Sequence, residues 1–197
     1  MYESQPGRVI LLNGTSSSGK TSIAEQLMSM LDPPHFHMSV DVINGMRAKE
    51  KSLALDPVEL PGVLRRTRAG FHRAVAGMAH AGNDVVVDYL FSEPWRLLDC
   101  LDVLAGLDVF FVGVRCDLAE LERRERARGD RDPGLAAAQL PDVHQHGSYD
   151  VEVDTTSASP YDCAIMISDS LALGEPPTAF DRLRTALRSG AAGMVET

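Results

Sequence analysis

The stretch that most limits what this chain can become is residues 8–31, RVILLNGTSSSGKTSIAEQLMSML. Its apolar run Val9-Ile10-Leu11-Leu12 stops at Asn13. Then Gly14-Thr15-Ser16-Ser17-Ser18-Gly19-Lys20-Thr21 completes a G-x-x-x-x-G-K-[ST] match. Ile23, Leu27, Met30 and Leu31 recur at helical spacing beyond it. Strand, small-residue loop and helix in that order form a phosphate-binding loop. Small side chains let successive backbone N–H groups turn inward around an anion, and the helix N-terminus adds partial positive charge. Gly14, Thr15, Ser16, Ser17, Ser18, Gly19 and Ser22 are thus expected in a cradle for a nucleoside triphosphate. Lys20 is expected to reach the β- and γ-phosphates, and the Thr21 hydroxyl to ligate Mg²⁺. A chance Gly/Ser turn ahead of a helix is the alternative, and it leaves both flanks unexplained.

Beyond this loop, strand-type apolar runs alternate with helical patterns, which predicts an α/β fold with a mainly parallel sheet. The spacing predicts strands over residues 35–41, 84–88, 108–116 and 149–155. Helices are expected over 42–49, 63–81, 94–104 (core side Leu97, Leu98, Leu101, Leu104), 118–128, from Pro160 onward and over 178–188. Residues 52–62, with Pro57 and Pro61, read mostly as loop, and so does the stretch around Pro141. Asp117 and Glu120 resemble a capping box, and the tail from Ser189 is expected to fray. The 197 residues read as one domain, with a lid segment near 120–135 and an extra C-terminal helix near 178–188.

A formal net charge of −9 argues against a general nucleic-acid or anionic-membrane binder. No apolar run approaches membrane-spanning length, and residues 1–7 lack signal-peptide architecture. Cys100, Cys116 and Cys163 are far apart in sequence, which fits reduced thiols in the cytoplasm better than zinc or a disulfide framework.

Three carboxylates fall at or near strand ends, where open α/β sheets bind their ligands: Asp41, Asp88 and Asp154. Asp41 is either a base that orients an attacking hydroxyl or the N-cap of the helix that follows. Asp88, after three valines, is placed to hold the Mg²⁺ shell; substrate binding and a capped turn are its alternatives. The run Arg123, Arg124, Arg126, Arg128, Arg131 is either a solvated helix with Glu–Arg pairs or a lid that closes over phosphates. Its position after the fourth strand, with Gly129, Pro133 and Gly134 at its end, favours the lid, with Arg124, Arg128 and Arg131 as contacts. His144 and His146, near Asp142, read as a polar loop near the cleft, and Trp95 as packing.

With these residues in view, the chain resembles the chloramphenicol 3-O-phosphotransferases. The resemblance extends to about Ser168 and is carried by ILLNGTSSSGKTSI, SVDVI, DVVVDYLF, FFVGVRCDLAELERRERARGDR and VHQHGSYDVEVDTT. It implies a fold similar to adenylate and shikimate kinases: a five-stranded parallel sheet, order 2-3-1-4-5, flanked by helices. It also implies ATP- and Mg²⁺-dependent phosphorylation of a primary hydroxyl on an antibiotic. Asp41 takes the position of the catalytic base, Lys20 that of the loop lysine, and the lid arginines fall within residues 124–131. The region between Asp41 and the fourth strand is implied to form the acceptor pocket. The sequence departs from the family at Met38, through residues 47–62, and in a longer tail.

The expected activity is therefore that of an ATP-dependent small-molecule O-phosphotransferase, with an antibiotic as first acceptor. A metabolite kinase of the shikimate or gluconate type is the alternative within that class. A slowly hydrolysing nucleotide sensor acting on a protein partner is the alternative outside it. Self-association into a homo-oligomer is left open.

Overall fold

The computed structural model describes residues 5–129, 134–174 and 176–192. In chain order the elements are β1 (Val9–Asn13), α1 (Lys20–Met30), β2 (Phe36–Ser39), α2 (Val40–Gly45), α3 (Lys49–Leu53), α4 (Leu60–His80) and β3 (Val85–Tyr89). They continue with α5 (Pro94–Val103), β4 (Val109–Arg115), α6 (Leu118–Arg128), α7 (Leu135–Val143), β5 (Val151–Asp154), α8 (Pro160–Leu173) and α9 (Ala179–Ala192). The strands form one parallel sheet in the order β2-β3-β1-β4-β5, as the resemblance implies.

The sheet is covered on both faces, so its central strands run continuously apolar up to their carboxyl ends rather than alternating. Val9, Leu11, Val85, Val87, Val109 and Phe111 join Phe71 and Val75 of α4, Leu101 of α5 and Phe180 of α9 in one core. Ile10, Leu12, Val86, Phe110 and Val112 face the other way, onto Ile23 and Leu27 of α1 and Ala164 and Ile167 of α8. Each such side chain removed from water stabilises the fold by about 1.5–3 kcal/mol. The three thiols are buried and unbridged. No helix among the described residues is long and apolar enough to cross a membrane.

Register places the chemistry. Leu12 of β1 lies beside Asp88 of β3, Ser39 of β2 lies on the other side of Asp88, and Asn13 pairs with Tyr89 and Gly113. The end of β1, and with it the start of the phosphate loop, therefore meets Asp88 and the end of β2 along one carboxyl edge.

Several elements differ from the sequence expectation. β2 stops at Ser39, because the Ser39 hydroxyl accepts from the Asp41 N–H at 3.2 Å and caps α2. Asp41 thus sits in the first helical turn, neither ending the strand nor serving as the cap. The segment read as loop, residues 52–62, is irregular from 54 to 59; it takes in the end of α3 and the first turn of α4, where Pro61 is tolerated because a first-turn N–H has no helical partner. Leu98 is exposed, and Arg96 and Cys100 take the buried positions on α5 with Leu101. Asp117 makes no capping hydrogen bond; Glu120 instead pairs with Arg123 and Arg124. α7 was hidden by Pro141, which it contains near its end. The buried Glu125 carboxylate accepts from the Gly134 and Ala136 N–H groups and fixes the start of α7 against α6. The last helix runs on through Ala192, past the point where fraying was expected.

Candidate active site

A cleft of about 680 Å³ opens at the carboxyl edge of the sheet. The phosphate loop and α6 line one end; α2, the end of β3 and the facing sides of α4 and α5 line the other. The loop is shaped by two requirements that sequence alone states only as a pattern. A Cβ on Gly14 would lie 2.5 Å from the Val114 carbonyl oxygen, so only glycine lets the loop pass β4. Gly19 takes φ +90 as it turns the chain into α1.

Inside the loop, Lys20 Nζ donates to the Thr15 carbonyl at 2.7 Å and lies 3.8 Å from Asp88 Oδ1. Thr21 Oγ1 donates to Asp88 Oδ2 at 2.5 Å. A hydroxyl and a carboxylate side by side at the mouth of an anion cradle suit a hard cation. Mg²⁺ takes one or two protein oxygens and completes its shell with water and phosphate. Among the described residues no larger His/Cys/Asp/Glu cluster offers a metal site. Thr21 and Asp88 fit the ion.

Arg124 braces the loop from outside. Its guanidinium donates to the Ser17 carbonyl at 3.4 Å, to Thr155 Oγ1 at 3.1 Å and to the Thr155 carbonyl at 2.6 Å. Thr155 is buried at the end of β5 and donates to the Ser18 carbonyl at 2.8 Å. Glu120 holds Arg124 Nε at 2.7 Å; hydrogen bonds from Arg123 and then Arg124 pull its pKa down to about 2, so it stays anionic. The Gln139 side chain on α7 accepts from the Ser16 N–H at 2.8 Å. Arg128 lines the cleft beside Arg124. Arg131 lies outside the described residues.

Of the three strand-end carboxylates, Asp41 and Asp88 line the cleft. The exposed Asp154 side chain instead accepts from the Thr156 N–H at 2.8 Å to close a turn, and hydrogen bonding from Thr156, its side chain first and then its backbone, lowers the Asp154 pKa. Ser22 lines the cleft on the first turn of α1.

His144 and His146 do not line the cleft; they belong to a partly buried polar web behind the loop. Asn13 is its hub. Its amide donates to the Val143 carbonyl at 2.7 Å and to Tyr149 Oη at 2.8 Å, and its oxygen accepts from the Phe91 N–H at 3.0 Å. His146 Nε2 lies 3.2 Å from the same amide, and His144 Nδ1 2.5 Å from Tyr149 Oη. Burial pushes both imidazoles down to about 4, so both are neutral at pH 7. Trp95 packs near His72 under the Arg65 guanidinium.

Ser39, Asn44, Arg68, Tyr89, Arg96, Gln139 and Thr155 line the cleft without having been singled out from the sequence. The only signal for any of them was position: Tyr89 follows Asp88, and Thr155 follows a strand-end aspartate.

A phosphate loop on a 2-3-1-4-5 parallel sheet, with carboxylates and arginines around one cleft, defines a small kinase of the phosphate-loop class. The chain belongs to the chloramphenicol phosphotransferase-like family, whose model matches residues 7–172, and it is a small-molecule phosphotransferase. A Mycobacterium tuberculosis (strain H37Rv) relative named "Putative O-phosphotransferase Rv2636" is 31% identical over 199 residues, 90% of this chain and 88% of that protein. Among solved structures, the Mycobacterium tuberculosis APS kinase CysC, in complex with AMPPNP and APS, superposes with a TM-score of 0.62 at 19% identity. That match covers 85% of this chain and 98% of the kinase. A gluconokinase from Sinorhizobium meliloti 1021 gives 0.56 at 18% identity, over 95% and 98% of the two chains. These two structures share the fold.

Proposed function

We propose that the protein transfers the γ-phosphoryl group of ATP to a hydroxyl of a small molecule. One observation carries this reading: the phosphate loop, the Thr21–Asp88 pair and Asp41 share a single continuous cleft. The loop amides and Lys20 hold the triphosphate, and Arg124 keeps the loop in shape. Thr21 and Asp88 would hold Mg²⁺, which would supply positive charge to the triphosphate. Asp41, exposed on the first turn of α2, accepts the proton as the acceptor oxygen attacks the γ-phosphorus. The bond from that phosphorus to the β–γ bridging oxygen breaks, and ADP leaves with its electron pair. Arg128, and Arg131 on the following segment, neutralise charge on the transferring group as a lid over residues 120–135.

Family membership supports an antibiotic hydroxyl as acceptor. The arginine-bearing wall of the cleft supports a second reading, a hydroxylated metabolite. The test is a mass-shift screen of chloramphenicol, other hydroxylated antibiotics and hydroxy acids incubated with ATP. A gain of one phosphate on any compound is expected with the wild type. Asp41→Ala should lower that turnover by about 10²–10⁴-fold while AMPPNP still binds. Normal turnover by Asp41→Ala would sink the assignment of the base.

A further inference from the structure

The end of the cleft away from the phosphate loop is lined by arginine and tyrosine groups whose hydrogen-bonding capacity the fold fills only in part. Arg96, on the first turn of α5, is only 7% exposed. Its Nη1 donates to the Leu90 carbonyl at 3.2 Å and its Nη2 to the Glu93 carboxylate, while its Nε is buried with no hydrogen-bond partner. Arg68, half-buried on α4, lines the same wall and makes no hydrogen bond or ion pair with the described residues. The Tyr89 hydroxyl, at the end of β3, is buried and likewise has no partner. Burial, and then the Arg96 charge beside it, lower the Arg68 pKa.

Two of the nearby carboxylates already have partners. Asp88 is held by Thr21 and Lys20. Glu93, half-exposed, is shared between Arg96 and Trp95. Burying charged donors without acceptors is unfavourable, and two guanidinium groups that repel each other are stabilised when an anion sits between them. Guanidinium and phenol together are the donors that recognise a carboxylate, sulfate or phosphate. The cradle for the nucleotide phosphates lies at the other end of the cleft, so this second set of donors serves a different molecule.

Within the phosphotransferase reading above, we infer that the acceptor carries an oxyanion beside its reactive hydroxyl, and that Arg68, Arg96 and Tyr89 hold that oxyanion. A neutral acceptor of the same size leaves the Arg68 guanidinium, Arg96 Nε and the Tyr89 hydroxyl unfilled, and a site built for hydrogen bonds rejects such an analogue strongly. This favours a hydroxy acid, or a sulfated or phosphorylated alcohol, over a neutral antibiotic.

The experiment has two arms. In the first, the full chain saturated with Mg–AMPPNP is titrated with sodium sulfate against sodium chloride at matched ionic strength, and thermal unfolding is followed. Sulfate is expected to raise the midpoint of the wild type and not of Arg68→Met, with Arg68→Lys in between. In the second, ADP release is measured with gluconate against sorbitol and shikimate against methyl shikimate, with chloramphenicol as a neutral acceptor. The acids are expected to show at least about tenfold higher kcat/KM. Arg68→Met should lose that advantage through KM, with AMPPNP affinity unchanged.

A wild type indifferent to sulfate once the nucleotide is bound overturns the inference. So does turnover of sorbitol or chloramphenicol that matches the acids and is equal in Arg68→Met, a result that leaves the phosphotransferase reading standing. Absence of acceptor-dependent ADP release, with sulfate binding intact and lost in Arg68→Met, overturns the phosphotransferase reading and leaves the anion site.

Discussion

The two ends of the cleft are built differently. At the nucleotide end, Lys20 rests on the Thr15 carbonyl, Thr21 on Asp88, and Arg124 and Thr155 tie the loop carbonyls to the end of β5. At the acceptor end, the Tyr89 hydroxyl, Arg96 Nε and Asn44 Oδ1 are buried without partners, and Asp41 stands exposed. A triphosphate has a fixed shape, so its site can be braced before it arrives, which removes the cost of ordering at binding. The acceptor end keeps its hydrogen-bonding capacity in reserve, which makes it selective: a molecule that does not complete the set leaves buried donors unmatched.

Substitutions at the two ends should therefore fail in different ways. The largest effect is expected at the proposed acceptor end, where Asp41→Ala lowers transfer by about 10²–10⁴-fold and spares nucleotide affinity; a parallel loss of AMPPNP binding in calorimetry would show that the ends are coupled. Lys20→Met should lower kcat by about 10²–10³-fold and weaken AMPPNP as well, because the lysine meets the phosphates in both ground and transition states. Equal AMPPNP binding in Lys20→Met would break the contrast from the other side. The Arg68→Met titration described above sharpens it: only the acceptor end should lose affinity.

Arg124→Ala tests the brace. Removing charged hydrogen bonds to the Ser17 and Thr155 carbonyls should weaken AMPPNP about tenfold, the equivalent of about 1.4 kcal/mol. Acceptor KM should stay put. If nucleotide affinity is unchanged, Arg124 belongs to a solvated helix face and braces nothing.

The smallest effect concerns the web behind the loop. His144 and His146 titrate near 4 in the folded chain, below the ordinary value of about 6.5. The unfolded chain binds their protons first as the pH falls. Their contribution is complete above about pH 6.5 and is lost progressively as the pH drops toward about 4. Each pH unit in that window should cost roughly 1.4 kcal/mol per histidine at most. Urea midpoints at pH 7.5 and 5 should fall in the wild type and fall less in His146→Gln. Equal slopes would remove His146 from the bracing of Asn13.

Legibility in the sequence followed the same division. The phosphate loop was plain because its requirements are local: a glycine that passes β4, a glycine at positive φ, and a lysine and threonine on the next turn. Asp88 was visible because three valines marked its strand. The position of Asp41 was half legible. The residue was found, but Ser39 took the capping hydrogen bond, moved the strand end back by two residues and put Asp41 on a helix. α7 was missed because Pro141 reads as a breaker, although a proline near a helix end can be accommodated when tertiary contacts hold the segment. Those contacts, from Glu125 to the Gly134 and Ala136 N–H groups, join α6 to the start of α7, a pairing that no periodicity reveals.

By itself, then, the sequence determined the order of the strands and most helices, the nucleotide cradle and its lysine, through periodicities and short-range sterics that act within a few residues. Tertiary structure decided the acceptor end. Arg68 sits on α4, Arg96 on α5, Tyr89 on β3 and Asn44 on α2, and in the linear chain the two arginines look like ordinary surface charges. Only the packing of α4 and α5 over one face of the sheet turns them into the same cleft, where burial takes away the water that would otherwise have been their partner.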